Sequence, residues 1–343
     1  MRVARLYRPG DLRIEDAKPP GIRDGEVLIR VKAAGVCRSD VHYFRYGRIG
    51  DAVVTKPIIL GHEFAGVVEE VGKRVDGLEP GVPVCVEPGV PCRVCEACRE
   101  GNYNLCKSMK FCGTPPVDGC YREQIPYPSD FVFPLPGGLS LAEGAMIEPL
   151  AVSLHAVDLG KVKPAETVAV LGSGSIGLSV IQLVRLTGAA EIYATDLLRD
   201  RLSWAEHFGA SLVINAAVED PVRRITDATG NRGVDVVFEA AGVVETPQQA
   251  VDIVKPGGRV VLIGISSEDS IHLSASSARR KGITIKLVRR MRHTYPRAIR
   301  LVEKRLVDVK SLVTHEFSLE EIVSAFHLVE SYGDGVVKAV IRI

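Results

Sequence analysis

The sequence predicts an α/β chain of two domains, one rich in β-strands and one built on a doubly wound parallel sheet. Its length of 343 residues exceeds the range in which a single core usually keeps growing. Residues 1–150 contain short strand-like segments between Gly- and Pro-rich turns, whereas residues 166–288 alternate strand and helix patterns. An apolar fraction of 46% and a charged fraction of 25% are ordinary for a globular protein.

The first domain is predicted from segments of strand length in which apolar residues either alternate with polar ones or follow one another. The segments are "GEVLIRVKAAGV", "FAGVVEEVG" and "VPVCVEPG". Helix signals are few in this region, so we expect a β-rich, barrel-like domain.

The second domain is predicted from buried, nearly continuous apolar strands separated by helices. Such strands indicate a parallel sheet covered on both faces. The strand segments are "TVAVLG", "EIYATD", "SLVINA", "VDVVFEAAG", "GRVVLIG" and "ITIKLV". A helix at "AVSLHAVDLG" leads into this domain. After the second domain, two helices and the strand "VVKAVIRI" follow, and we expect this segment to fold back onto the first domain.

Charge and hydropathy exclude several classes of partner. A net charge of +1 gives no broad field for nucleic acid or an anionic membrane. The N-terminal residues have no signal-peptide core, and no apolar run reaches the length of a membrane span, so we expect a cytoplasmic protein. Seven of the eight cysteines fall between Cys85 and Cys120, a clustering more typical of metal binding than of disulfides.

A dinucleotide site is predicted where the first strand of the parallel sheet ends. A G-x-G-x-x-G pattern there lets the backbone approach a pyrophosphate at a helix N-terminus. Its glycines are Gly172, Gly174 and Gly177. Asp196 ends the next predicted strand, where a carboxylate accepts ribose hydroxyls and repels a 2′-phosphate, so NAD is favoured over NADP. Arg199 and Arg201 follow closely, and either one can weaken that preference. The alternative is a glycine-rich turn without a ligand.

Four cysteines in the segment "CRVCEACREGNYNLC" predict a structural zinc site. They are Cys92, Cys95, Cys98 and Cys106, with the spacing C-x2-C-x2-C-x7-C. Four thiolates close a tetrahedral shell and leave no position for water. An iron–sulfur cluster and a set of free thiols are the alternatives, although ferredoxin spacings differ from this one. Cys85, Cys112 and Cys120 lack such spacing and are expected to be packing residues.

A second metal site is predicted from side chains that are far apart in the sequence. The candidate ligands are Cys37, His62, Glu63 and Glu148. A thiolate with an imidazole suits zinc, and an open fourth position is what a catalytic ion needs. Taken singly, each residue also has a structural interpretation as core filling, a turn histidine or a surface acid.

The chain resembles the zinc-containing medium-chain dehydrogenases, and among them the sorbitol and other polyol dehydrogenases. The resemblance covers essentially the full length. The segments that carry it, in family order, are "GVCRSDVHYFRYGRIG", "GHEFAGVV", "FCGTPPVDG", "EGAMIEPL", "GSGSIG" and "VTHEFSLEE". It implies a GroES-like catalytic zinc-binding domain at 1–153 and 290–343, an NAD-binding Rossmann domain at 154–289, and an active site in the cleft between them. It also implies one catalytic and one structural Zn²⁺ per chain, and a homo-oligomer that is a dimer or tetramer.

The same resemblance assigns roles to individual residues. Cys37 and His62 match the first two catalytic zinc ligands, Glu63 follows as in the family, and Glu148 takes the polyol-type position near the metal. Ser39 matches the hydroxyl that hydrogen-bonds the substrate oxygen. His42 matches the outer histidine of the family's proton relay; the alternative for His42 is a buried structural histidine with its hydrogen bonds satisfied. Tyr43, Phe111, Thr114 and Arg290 match the substrate pocket. The matched cofactor positions are Gly172, Gly174, Ile176, Gly177, Asp196, Arg201, Gly264, Ile265 and Arg290.

The sequence departs from the resemblance at two places and leaves three functions open. Met291 stands where polyol dehydrogenases often have tyrosine, and the four-cysteine segment is retained although several animal relatives have lost it.

The preferred interpretation is an NAD-dependent zinc enzyme (EC 1.1.1.-) that oxidises a polyol such as sorbitol or xylitol to a ketose. The alternatives are an L-threonine 3-dehydrogenase or secondary alcohol dehydrogenase, and a non-catalytic NAD(P)-binding protein.

Overall fold

A computed structural model describes residues 1–266, 268 and 270–343 and divides the chain into two units. Unit 1 contains Met1–Pro149 and Tyr295–Ile343, and unit 2 contains Leu150–Thr294. The divisions lie within a few residues of the boundaries predicted from the sequence. None of the helices in the described residues combines the length and apolar composition needed to cross a bilayer.

The N-terminal part of unit 1 is mostly strands. The strands are β1 (Arg2–Arg8), β2 (Asp11–Asp16), β3 (Glu26–Gly35), β4 (Arg48–Ile49), β5 (Ala52–Val53), β6 (Ile58–Ile59), β7 (Glu63–Val71), β8 (Pro83–Val86), β9 (Gly89–Val90), β10 (Lys110–Phe111), β11 (Gln124–Pro128) and β12 (Val132–Pro134). The helices are α1 (Arg38–Tyr46), α2 (Glu96–Arg99) and α3 (Leu141–Ala145), and 3₁₀ turns lie at Tyr103–Leu105 and Ser129–Phe131.

The middle of the chain alternates helices and strands, as the apolar pattern predicts. The elements are α4 (Ile147–Gly160), β13 (Thr167–Leu171), α5 (Ser175–Leu186), β14 (Glu191–Asp196), α6 (Arg199–His207), β15 (Leu212–Asn215), α7 (Pro221–Ala228), β16 (Val234–Glu239), α8 (Thr246–Ile253), β17 (Val254–Leu262), α9 (Ala275–Lys281) and β18 (Thr284–Leu287). Capping signals fix several helix ends. Asp220 accepts the N–H groups of Val222 and Arg223 at the start of α7, directly before Pro221.

The chain then returns to unit 1. The elements there are α10 (Tyr295–Glu303), β19 (Val313–Ser318), α11 (Ile322–Ser331) and β20 (Lys338–Arg342), with 3₁₀ turns at Leu319–Glu321 and Gly333–Gly335. Within unit 1, β20 pairs with β3 and β19.

One large sheet organises unit 1. Its order is β12-β8-β7-β3-β20-β19, and β11 also pairs with β3. The alternation in β3 buries Val27, Ile29 and Val31 while Arg30 and Lys32 face outward. The buried side chains join Phe64, Tyr121 and Phe326 in one apolar core.

The sheet of unit 2 has the order β15-β14-β13-β16-β17-β18, with every pair parallel. All six residues of β16 are buried, as expected for a strand covered on both faces. The strand order reverses beside β13, and in such sheets ligands bind beyond the carboxyl ends of the strands at that point. The predicted α/β class is therefore confirmed.

Candidate functional site

The N-terminus of α1 presents the thiol, hydroxyl and imidazole that the sequence places close together. Cys37 is the N-cap residue, and Gly47 ends the helix in the left-handed conformation at φ 68°. The Oγ atom of Ser39 donates to the Sγ atom of Cys37 at 3.2 Å. The helix therefore holds Cys37 and Ser39 as a contacting pair.

Three of the predicted ligands come together in unit 1. One ligand atom from each of Cys37, His62 and Glu63 lies within 4.8 Å of the other two. The turn before β7 brings in the last two side chains, and Gly61 in that turn has φ 94°. A Cβ atom at Gly61 would lie 2.7 Å from the Cys120 sulfur, so the turn requires glycine. The arrangement can hold a metal ion.

Asp40 positions this cluster, and the sequence reasoning did not identify it. Its carboxylate accepts the N–H groups of Cys37 and Gly61 at 3.2 and 3.1 Å and the Tyr121 hydroxyl at 3.0 Å. One of its oxygens lies 3.5 Å from Nδ1 of His62. A carboxylate at the third position of a helix that begins at a cysteine was a readable signal, because it completes a capping box. The carboxylate orients the imidazole, as outer partners of metal-binding histidines do.

The electrostatics around His62 suit a cation. Burial alone would lower the pKa of this imidazole, but the Asp40 carboxylate and the Cys37 thiol together raise it well above its usual value. The side chain is only 8% exposed. A buried nitrogen donor in a negative environment is a favourable place for a divalent ion.

Lys338 is the second residue that the sequence reasoning missed. It opens β20, and its Nζ atom donates to both carboxylate oxygens of Glu63 at 2.8 Å. Both side chains are almost fully buried. A single lysine in the apolar strand "VVKAVIRI" was the available signal.

Glu148 lies close to the cluster but outside the group of three ligand atoms. Burial raises the pKa of its carboxyl to about 8, while the charges of His62 and Lys338 lower it and Glu63 raises it. Among the described residues, the tight group contains Cys37, His62 and Glu63 and omits Glu148. Its role as a ligand stays a prediction.

His42 has one nitrogen engaged and one available. Its Nδ1 atom lies 2.8 Å from the carbonyl oxygen of Arg48, which can only accept, so Nδ1 carries the proton. Its Nε2 atom is buried and has no hydrogen-bond partner in the part of the chain that the structure describes.

The predicted substrate residues fall in both units. Tyr43 is buried on α1, and the Phe111 ring lies 5.4 Å from the His62 ring. The Thr114 N–H donates to the carbonyl of Phe111 at 3.0 Å. Arg290 belongs to unit 2 and has a left-handed backbone at φ 57°, a conformation that costs energy for a residue other than glycine. Met291 beside it is buried.

The glycine motif forms the turn between β13 and α5. Gly172 has φ 92°, and a Cβ atom at Gly177 would lie 1.8 Å from the carbonyl oxygen of Gly172. Around a Cβ at Gly174 the nearest atom would be Nη1 of Arg201 at 3.7 Å, so a ligand can approach the backbone there. The N-terminus of α5 thus has the shape of a phosphate-binding turn.

Asp196 stands at the end of β14 beside this turn. One carboxylate oxygen accepts the N–H of Ser173 at 2.8 Å, and the other accepts the N–H of Leu198 at 3.0 Å. Nη1 of Arg201 lies 4.0 Å from the first oxygen. The remaining predicted cofactor residues, all in unit 2, are the half-buried Ile176 and Gly264 and the exposed Ile265.

The four-cysteine lobe, residues 92–106, gathers its thiols as predicted. The sulfur atoms of Cys92, Cys95, Cys98 and Cys106 all lie within 4.8 Å of one another. Backbone N–H groups of Val94 and Cys95 lower the pKa of the Cys92 thiol to about 6, which favours the thiolate that zinc binds. The cluster fits a structural zinc site. Cys85, Cys112 and Cys120 are buried, in agreement with their predicted packing role.

Contacts with the sheet hold this lobe in place. The Tyr103 hydroxyl donates to Glu87 at 2.8 Å, and Arg93 pairs with Asp130 at 2.5 Å. Glu87 is only 4% exposed, and burial raises the pKa of its carboxyl to about 7. The lobe therefore rests on a buried acid next to β8.

Comparisons with protein families match both units. The family described as alcohol dehydrogenase GroES-like domain matches residues 23–137, and the zinc-binding dehydrogenase family matches residues 175–304. The first match lies in unit 1, and nearly all of the second lies in unit 2.

Individual relatives extend over nearly the whole chain. The chain is 42% identical to the sorbitol dehydrogenase of Bacillus subtilis (strain 168), over 94% of this chain and 91% of the relative. It is 40% identical to the sorbitol dehydrogenase of Homo sapiens, over 94% of this chain and 90% of the relative. It is also similar to the crystal structure of ECK1772 from Escherichia coli, an oxidoreductase/dehydrogenase of unknown specificity. The TM-score is 0.95 at 38% identity, with 100% of this chain and 99% of that chain covered.

Proposed function

The chain belongs to the zinc-containing medium-chain alcohol dehydrogenase family, and from this premise we propose that it oxidises a polyol, such as sorbitol or xylitol, to a ketose with NAD as hydride acceptor. The observation that carries the proposal is the buried cluster of Cys37, His62 and Glu63. The similarity to sorbitol dehydrogenases supports the polyol substrate.

The residues of the cluster fit a catalytic zinc ion. Sulfur and imidazole nitrogen are preferred zinc donors, and Asp40 fixes the orientation of the imidazole. The four-cysteine lobe fits the structural zinc ion of the family. When bound, the catalytic ion supplies a Lewis acid for the substrate hydroxyl, and the nicotinamide accepts the hydride.

The protein's own groups handle the proton. We assign Ser39, whose hydroxyl contacts the Cys37 sulfur at 3.2 Å, as a proton relay: its Oγ atom accepts the substrate hydroxyl proton while its own proton passes on to Nε2 of His42. His42 lies three residues further along α1, and its Nε2 lone pair is suited to take a proton outward. Phe111 beside His62 supplies an apolar wall that restricts water.

The preference for NAD rests on Asp196. A carboxylate at this position of the fold bonds ribose hydroxyls and disfavours a 2′-phosphate. Arg201, 4.0 Å away, partly offsets the negative charge, so we expect a strong rather than absolute preference.

We also propose that the chain assembles as a homodimer or tetramer by extension of the unit 2 sheet. β18 is the last strand of that sheet, and Leu287 on it is 65% exposed. An edge strand with unpaired backbone groups and an exposed leucine is suited to pair with a second copy. Light scattering on the eluting protein gives the mass, and a monomer would contradict this part of the proposal.

Oxidation of a panel of alcohols tests the proposed reaction. Sorbitol, xylitol, L-threonine and a simple secondary alcohol are each supplied with NAD or NADP, and formation of the reduced cofactor is followed by absorbance. We expect kcat/KM to be highest for a polyol with NAD. Faster turnover of threonine would favour the threonine 3-dehydrogenase alternative, and no turnover would favour a binding protein.

The Ser39→Ala variant should lower kcat by about 10²-fold or more without changing the metal content.

A further inference from the structure

Glu239 is a buried carboxylate in unit 2 that the proposed reaction does not use. It is the last residue of β16 and is only 1% exposed. β16 lies between β13, which leads into the phosphate-binding turn, and β17. Burying a carboxylate is costly unless its oxygens accept hydrogen bonds, so the donors around this side chain indicate what it does.

One oxygen of this carboxylate holds the loop that follows β16. Oε1 of Glu239 accepts the N–H groups of Ala241 and Gly242 at 2.9 and 2.7 Å. The same oxygen accepts the hydroxyl of Thr246, the first residue of α8, at 2.8 Å. The side chain therefore ties the end of its strand to the loop and to the start of the next helix.

The loop packs backbone against backbone on the segment that follows β17. A Cβ atom at Gly264 would lie 2.3 Å from the nitrogen of Gly242, and a Cβ atom at Gly242 would lie 2.8 Å from the carbonyl oxygen of Ile265. The backbone carbonyl of Glu239 accepts the N–H of Gly264 at 3.1 Å. Glu239 thus holds together two segments, one of which carries the proposed cofactor residues Gly264 and Ile265.

The join between this loop and β13 does not depend on the carboxylate. The Ala240 N–H donates to the carbonyl of Leu171, the last residue of β13, at 2.7 Å. This backbone bond remains when the side chain of Glu239 is shortened. Loss of the carboxylate should therefore act on the side of β17 rather than on the phosphate-binding turn.

The order of the strands indicates which half of a bound dinucleotide meets these segments. In the proposed site Asp196, at the end of β14, takes the adenosine ribose, and the turn after β13 takes the pyrophosphate. β16 and β17 lie on the opposite side of β13 from β14. The segments that follow β16 and β17 are therefore left for the nicotinamide half.

We propose that Glu239 is a positioning residue that shapes the surface for the nicotinamide half of NAD, by holding the loop after β16 against Gly264 and Ile265. This inference rests on the dinucleotide site of the proposed function. Without the carboxylate, the N–H groups of Ala241 and Gly242 lose their acceptor, and the loop is no longer held in one conformation. The adenosine half keeps Asp196 and the phosphate-binding turn.

Binding of NADH and of ADP to the full-length, zinc-loaded protein tests the proposal without turnover. ADP carries the adenosine ribose and the pyrophosphate but no nicotinamide half, so it reports on the other half of the site alone. NADH is titrated by its fluorescence and ADP by calorimetry. We expect Glu239→Ala to weaken NADH binding by about tenfold or more and to leave ADP binding near the wild-type value. Glu239→Gln, which keeps an acceptor oxygen for the loop, should bind both as the wild type does.

Two further variants keep the result interpretable. Thr246→Val removes one donor to Oε1 with little change of shape, and it should weaken NADH binding by a smaller factor while ADP binding stays unchanged. This result can be read even when Glu239→Ala does not fold.

Asp235→Ala is the matched control, because Asp235 is a buried carboxylate near the opposite end of the same strand. It accepts the Thr167 N–H at 2.9 Å and pairs with Lys255 at 2.6 Å. Its loss should lower thermal stability and leave the ratio of the NADH and ADP affinities unchanged.

The proposal is overturned if Glu239→Ala or Thr246→Val binds NADH as tightly as the wild type, or if either weakens NADH and ADP equally. It is also overturned if Glu239→Gln loses as much NADH affinity as Glu239→Ala, because the carboxylate would then act through its charge rather than through the loop. Failure of polyol turnover with the expected binding pattern would contradict the proposed substrate and leave the role of Glu239 intact. A wild-type protein that bound neither NADH nor ADP would contradict both.

Discussion

At the residue scale, single buried carboxylates do the positioning in unit 1. Asp40 connects the N-terminus of α1, the turn before β7 and Tyr121 through hydrogen bonds of 3.0 to 3.2 Å. The same carboxylate that caps a helix therefore fixes two candidate metal ligands. Glu87 positions the four-cysteine lobe in a similar way, because its carboxylate accepts a hydrogen bond from the Tyr103 hydroxyl of the lobe.

The buried Glu87 predicts a specific dependence of stability on pH. Burial raises the pKa of its carboxyl from 4.5 to about 7 in the folded state, so the folded protein binds this proton more tightly than the unfolded chain does. The resulting stabilisation is complete below pH 4.5 and is lost as the pH rises through 7. The group accounts for up to about 3 kcal/mol, from 1.36 kcal/mol per pKa unit.

The Glu87→Gln variant isolates this contribution, because the amide keeps an acceptor for Tyr103 and does not titrate. Urea unfolding from pH 5 to pH 8 should show the variant gaining stability relative to wild type as the pH rises. A stability difference that stays constant over this range would contradict the assignment.

At the element scale, the phosphate-binding turn uses its glycines for different purposes. Gly177 allows close packing of α5 on the turn, whereas Gly174 leaves room for a ligand. The first is a requirement of folding and the second a requirement of binding.

Two alanine substitutions separate those requirements. Gly177→Ala places a Cβ atom 1.8 Å from the Gly172 oxygen, so the backbone must shift and the free energy of unfolding should fall by about 1–3 kcal/mol. Gly174→Ala should leave thermal stability near the wild-type value and weaken NAD binding. Calorimetry and fluorescence titration measure the two effects, and equal stability of both variants would show that the packing argument is wrong.

The four-cysteine lobe should depend on its metal for its fold. Cys98→Ser removes one thiolate, so we expect the zinc content to fall from about two ions per chain to about one and proteolysis within residues 92–106 to accelerate. Glu96→Gln, an exposed change in the same helix, is the control and should keep both ions. Retention of two ions by Cys98→Ser would contradict the assignment of the lobe.

At the scale of the whole molecule, the proposed metal and dinucleotide sites lie in different units of one chain. The chain leaves unit 1 after Pro149 and returns at Tyr295, and its last strand, β20, lies between β3 and β19. The last strand therefore belongs to the sheet that carries the metal cluster, next to the edge strand β19. Lys338, at the start of that strand, contacts Glu63 across 275 positions of sequence.

Sequence reasoning predicted the features whose signal is local. The strand and helix alternation of unit 2, the glycine turn and the spacing of Cys92, Cys95 and Cys98 can all be read from neighbouring residues. Lys338 could not be assigned in this way, because the partner of a buried lysine depends on which strands pair. Asp40 was missed although its signal was local, because its capping position hid its contact with His62.

The most direct test of the central claim is the zinc content and polyol oxidation of the Cys37→Ala variant measured on the same sample. For Cys37→Ala the account predicts about one zinc ion per chain instead of two, and NADH formation at background. The control Cys85→Ala, which removes a buried packing thiol, should keep both the two zinc ions and the polyol oxidation. A Cys37→Ala protein that still oxidised the polyol at the wild-type rate would contradict the claim that this thiol holds the catalytic ion.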